Sequence, residues 1–410
     1  MLDPRIMIDA LAGPNREGIP MIEPGNSTTS HLLRLRLFRA WLTTCAFLYA
    51  GLAHTQPTAP VPAVDLSRHS VPLDAIYFDT FRRDIRAVPL TLASQGLIAH
   101  LRDAIPPLHH PKYESRTAAD WLTNDDIVIG YAAGDQAWAY PTRILNFHEI
   151  VNDTLAGEPV LIAYCPLCAS GFVLSRRLDD RVLTFGNTSA LYQSDMVMLD
   201  YETGSYWWHV AGEAIVGTLT GASLETLPAI TTTWEQWQTI YPHTKVLSRD
   251  TGHRRPYENR PFARYADMLN RGQFAFPVSG AARDGRLSPA TTVLGVKVGD
   301  AVRAYRLDDT APNAIMDSLG DQRLVVFTAG GGTGGAAYKP VARGQKLTFV
   351  LREGKYTDQE TGSVWNLAGT AIDGSLKGTN LIPLPTKTSF WFALVAAEPD
   401  ITVYEAVSGQ

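Results

Sequence analysis

The chain has 410 residues, 45% of them hydrophobic and 19% charged, with a formal net charge of -5. This is globular composition, long enough for about two or three domains. With no basic stripe interleaved with aromatics, it argues against nucleic acid as a partner. Nine Trp, sixteen Tyr, 33 Gly and 26 Pro predict a β-rich, turn-rich fold.

Residues 1–53 read as an N-terminal extension ending in a signal-like segment. Arg34, Arg36 and Arg39 precede an apolar run from Ala40 to Ala53. That run is shorter than the roughly 20 residues a membrane span needs, and small residues near Gly51-Leu52-Ala53 suit cleavage. The expectation is an exported protein, periplasmic or extracellular, with no membrane span in the mature chain. The alternatives are an uncleaved anchor and a true start at Met21. Lipidation at Cys45 is disfavoured by the bulky Thr44 before it. Cleavage would remove Cys45 and leave Cys165 and Cys168 as the two cysteines. A Pro-rich linker follows at 54–70.

The rest of the chain reads as α+β and β-rich: two tandem related modules dominated by antiparallel sheet, with a few short helices. The first module is placed at 71–275, a linker at 276–291, and a second, degenerate module at 292–410. In chain order, a short helix is predicted near Ala118–Leu122. Two strands follow, joined at Gly134-Asp135, then a helix near Arg143–Asn152. Strands are predicted at Pro159–Tyr164, Gly171–Leu174, Val182–Phe185 and Met196–Leu199. A capped helix is predicted over Thr231–Tyr241, with Trp234, Trp237 and Ile240 on one face. The motifs recur. A Gly-Asp hairpin returns at Gly299-Asp300, Glu202-Thr-Gly-Ser returns at Glu360, and Gly-x-Ala-Ile-x-Gly occurs from Gly212 and Gly369. Leu227 with Trp234 matches Leu384 with Trp391.

Cys165-Pro-Leu-Cys168 follows the apolar strand. A strand running into such a turn aims both sulfurs at one point, as in a metal knuckle. The same spacing serves redox thiols or, in an exported protein, a static disulfide. The internal comparison bears on this choice. Thr328 stands opposite Cys165, Gly331 opposite Cys168, Asn313 opposite His148, Ala314 opposite Glu149 and Thr370 opposite Glu213. Joint absence from the second copy suggests that these residues serve one site.

Cys165, Cys168 and His148 would supply two thiolates and one imidazole. That set leaves one coordination position open and favours zinc or copper(I). Glu149 or Glu213 would act as general base or orient a ligand. His209, between two Trp and a Val, is expected to pack or hydrogen-bond rather than ligate. Tyr192, Ser194 and Asp195 either line a cleft or form a polar hairpin turn, the hairpin being favoured. The Gly330–Gly335 run matches a dinucleotide fingerprint only formally, because no helix follows it. Neither Gly-x-Ser-x-Gly nor His-Glu-x-x-His is present, which argues against common hydrolase types.

The ordered motifs His148-Glu-Ile-Val-Asn-Asp, Tyr164-Cys-Pro-Leu-Cys, Phe185-Gly, Ser194-Asp and Thr232-Thr-Trp resemble those of the bacterial and archaeal domain-of-unknown-function family 3179. The resemblance is continuous from about residue 120 to 275 and weaker beyond. This chain has Ala169 where the family commonly has Gly, and His209 where it often has Gln. The resemblance implies a frequently exported protein without an assigned reaction. The leading expectation is therefore an exported protein with a Cys/Cys/His metal site, open to a small-molecule or metal ligand. A non-catalytic binding or scaffold protein with a Cys165–Cys168 disulfide is the alternative. A thiol–disulfide redox protein is a third.

Overall fold

A computed structural model describes residues 60–82, 84–307 and 311–405. The signal-like segment, Cys45 and the first residues of the Pro-rich linker lie outside them. The described chain is β-rich with a few short helices, and its sheets are mostly antiparallel. No described helix is long and apolar enough to cross a membrane.

A six-stranded sheet is ordered Glu213–Val216, Tyr206–Trp208, Asp195–Asp200, Phe185–Tyr192, Ile76–Asp79, Ala87–Pro89. Beside it, Ile150–Leu155, Glu158–Cys165 and Ser170–Ser175 form an antiparallel run within a nine-stranded sheet. That sheet continues through Thr388, paired with Gly171, into Thr386–Phe390, Thr292–Val298 and Ala301–Arg306. Residues on both sides of 276–291 thus share one sheet. A five-stranded sheet is built on the hairpin Ile127–Ala133 and Gln136–Pro141. Two four-stranded sheets, starting at Asn313 and Phe349, and two short two-stranded ribbons, Arg177–Leu178 with Arg181–Val182 and Val341–Ala342 with Gln345–Lys346, account for the other described strands.

Alternating β-branched and aromatic residues account for the strands, since one or both faces must be apolar to be buried. The helix Trp234–Ile240 starts where Thr233 Oγ1 accepts from Gln236 N at 3.3 Å, and Trp234 and Trp237 are buried, as their spacing predicts. Two expected helices do not form. Ala118–Leu122 is turn. Of Arg143–Asn152, only Thr142–Leu145 is helical, and Ile150–Leu155 is a strand. The helix ends because Glu149 adopts φ 57° while its N–H bonds Leu145 O at 2.8 Å. This is a left-handed cap, a position usually filled by glycine.

The cores also cross the predicted boundary. The largest joins Cys165, Cys168, Phe172 and Trp207 to Trp391, Phe392 and Leu394. A second joins Val128, Trp234 and Trp237 to Val325, Phe327 and Trp365.

Candidate functional site

Cys165 ends the strand Glu158–Cys165 and pairs with Ser170 across a four-residue turn. Cys168 N bonds Cys165 O at 3.3 Å and Ala169 takes φ 45°. A side chain at a left-handed position is strained, and the turn is held from outside by Phe390 N on Cys168 O at 2.8 Å. Both cysteines are buried free thiols.

Asp195 opens its strand directly after a two-residue turn. Gln193 (φ 52°) and Ser194 (φ 59°) are both left-handed, and Tyr192 pairs with Asp195. This is the type I′ pattern that suits the twist of a tight hairpin. The turn is braced where Phe276 N donates to Ser194 Oγ at 3.3 Å. It delivers the Asp195 carboxylate, fully buried, to the cysteine turn. Asp195 Oδ1 accepts from Cys168 Sγ at 2.8 Å and lies 3.1 Å from His209 Nδ1, while Oδ2 accepts from Val210 N at 2.8 Å. Ligand atoms of Cys165, Cys168 and Asp195 all lie within 4.8 Å of one another. His209 stacks on Phe172, centroids 4.8 Å apart, and its Nε2 is buried without a hydrogen-bond partner. Because a carboxylate only accepts, Nδ1 is the donor in the contact with Asp195.

Burial pushes the Cys165 thiol up, partly offset by its contact with Cys168. Burial pushes Cys168 further, and the nearby Asp195 charge adds to the rise. Neither group is an activated thiolate in this environment. A cation at the cluster would change that by displacing the thiol protons. A tetrahedral zinc spaces sulfur and oxygen ligands roughly 3.5 Å apart. The Cys168–Asp195 hydrogen bond would therefore give way to two metal bonds with a shift under about 1 Å.

Glu149 lies in a small, partly open cleft of about 30 Å³ that also meets Cys165, Asn187, Asp79 and Met196. Asn187 Nδ2 donates to Glu149 Oε2 at 2.6 Å from a bulged stretch of its strand. Burial raises the Glu149 carboxyl to about 8, against the Asn187 hydrogen bond and aided by Asp195 and Asp79. A carboxyl tuned to that range can give or take a proton near neutral pH.

His148 does not join the sulfurs as expected. Its Nδ1 is 2.8 Å from Pro106 O and its Nε2 2.6 Å from Tyr257 Oη, so both ring nitrogens are engaged elsewhere. The left-handed Glu149 separates the helical turn from the strand, so the two neighbours have different surroundings. The cluster that forms takes Asp195 instead. Glu213 pairs with Trp208 on the outermost strand of the six-stranded sheet and is not part of the cluster. The Tyr192–Asp195 stretch is a hairpin, as favoured, yet Asp195 also serves the site. Asn187 was not singled out by sequence reasoning.

No curated protein and no solved structure matches the chain. The family model described as "Protein of unknown function (DUF3179)" matches residues 102–401, most of the chain, and the protein belongs to that family.

Proposed function

We propose that Cys165, Cys168 and Asp195 bind zinc, and that the Glu149 cleft admits a small ligand to it. The observation that carries this reading is the convergence of two thiols and a carboxylate, all buried, within 4.8 Å. Two thiolates with one carboxylate suit zinc. Three protein ligands leave a fourth position open, the pattern of a catalytic centre. Glu149, beside Cys165 in the cleft, is then the acid/base group. Residues 292–410 contain no cysteine, so this ligand set occurs once in the described chain. Metal analysis of the purified full-length protein tests it. One zinc per chain is expected, lost in Cys165→Ser and Asp195→Asn. Metal-free wild type after growth with zinc would remove the proposal.

A dithiol redox role is the second reading, favoured by two adjacent free thiols on one turn. It predicts reversible disulfide formation with no bound metal.

We also infer that the chain contains one unit written twice. Matching registers support this: Ile150 opposite Ala163 and Ile315 opposite Val326. So does a repeated polar knot. Asp200 accepts from Thr203 N at 2.6 Å and Trp207 Nε1 at 2.9 Å, and Asp358 accepts from Thr361 N and Trp365 Nε1 at the same distances. The Arg-flanked apolar run at 40–53 supports export.

A further inference from the structure

The two halves differ at one position that sequence motifs did not flag. Ile230 pairs with Gly130 in the first half, and Lys387 pairs with Gly295 in the second. Both glycines sit under the helix that follows, Gly130 against Trp237 and Gly295 against Leu394. Ile230 and Lys387 are therefore equivalent positions. They face different surroundings, because each half packs its strand against the other half's turn. Gly334, in the loop that replaces the cysteine turn, packs on Thr231 and Thr232. The cysteine turn is held by Phe390. The half without cysteines is met by isoleucine, and the half with cysteines is met by lysine.

Lys387 Nζ donates to Val210 O at 2.8 Å and Ala211 O at 2.9 Å. Val210 N is the donor that holds Asp195 Oδ2. The ammonium also lies 5.7 Å from the Phe172 ring, on which His209 stacks. Burial lowers the Lys387 pKa to about 8, opposed by Glu398, aided by the like charge of Lys297 and opposed again by Asp195 and Glu213, so it is mostly a cation at neutral pH. Two thiolates and one carboxylate around a divalent ion leave one net negative charge in a buried place. One nearby ammonium cancels it, whereas around copper(I) a negative charge would remain.

We propose that Lys387 is a positioning residue for the first half's metal site, contributed by the second half, fixing the Val210 loop on Asp195 and balancing the charge of a Cys165/Cys168/Asp195 zinc centre. This rests on the zinc reading above. The test compares full-length wild type, Lys387→Met and Lys387→Arg. Zinc affinity is read by competition with a chromophoric chelator, and thiolate formation in the metal-free proteins by absorbance at 240 nm against pH. Lys387→Met is expected to lose about 10-fold or more in zinc affinity, the range for partners of ligands, and to raise the thiolate midpoint. Lys387→Arg is expected to restore most of both. Unchanged affinity and midpoint in Lys387→Met would overturn the proposal, as would equal loss or failure to fold in both variants. If wild type binds no zinc, the zinc reading fails first, and an unchanged thiolate midpoint would then separately count against Lys387.

Discussion

Glu149 is held in a left-handed conformation, buried, with a carboxyl raised to about 8. Its folded-state pKa lies above the ordinary 4.5, so the folded protein holds this proton more tightly than the unfolded chain. Stability from this group is full below about pH 4.5, declines as pH rises through the window to about 8, and is level above it. At ~1.4 kcal/mol per pKa unit the decline is a few kcal/mol. Glu149→Gln should therefore match metal-free wild type in urea unfolding at pH 5 and be the more stable at pH 8.5. Parallel pH profiles would show that the carboxyl is not held protonated. That Cys165 and Cys168 share one tight turn was legible in the sequence, because an apolar strand runs straight into Cys-Pro-Leu-Cys. The exchange of His148 for Asp195 was not, because it depends on a single backbone angle at Glu149 and on where a hairpin turn ends.

At the level of elements, the strands around the cysteine turn were legible because apolar runs broken by turn residues leave few other choices. Of the helix over Arg143–Asn152 only the first part was, since Ile144 and Leu145 lie in the helical turn while Phe147 and Ile150, which also fit helical spacing, fall in the following turn and strand. Glycines in the paired hairpins make a sharper check. A Cβ on Gly130 would lie 2.3 Å from the Trp237 ring, and one on Gly295 2.8 Å from Leu394 Cδ2. The indole is a rigid plate, whereas a leucine can turn. Gly130→Ala should cost about 1–3 kcal/mol by overpacking and Gly295→Ala less, read from denaturation midpoints. A reversed order would mean that the two helices are not seated as described.

On the scale of the molecule, the predicted modules share a sheet and two cores. Trp391, Phe392 and Leu394 pack in the core that contains the cysteines, and the Thr386–Phe390 strand supports their turn. A fragment of residues 71–275 would expose that apolar surface. It should lack the near-ultraviolet signal of packed tryptophans, while the full chain unfolds in one cooperative transition. A fragment that unfolds cooperatively on its own would show that each half is self-sufficient. Local sequence pattern carries no information on which distant strand or helix supplies the partner for each face.

The central claim is that Asp195, rather than His148, completes the two-cysteine set. The most direct measurement is zinc stoichiometry and chelator competition on wild type, Asp195→Asn and His148→Gln. The account predicts one zinc per chain in wild type and His148→Gln, with binding lost in Asp195→Asn. Zinc retained in Asp195→Asn and lost in His148→Gln would contradict it.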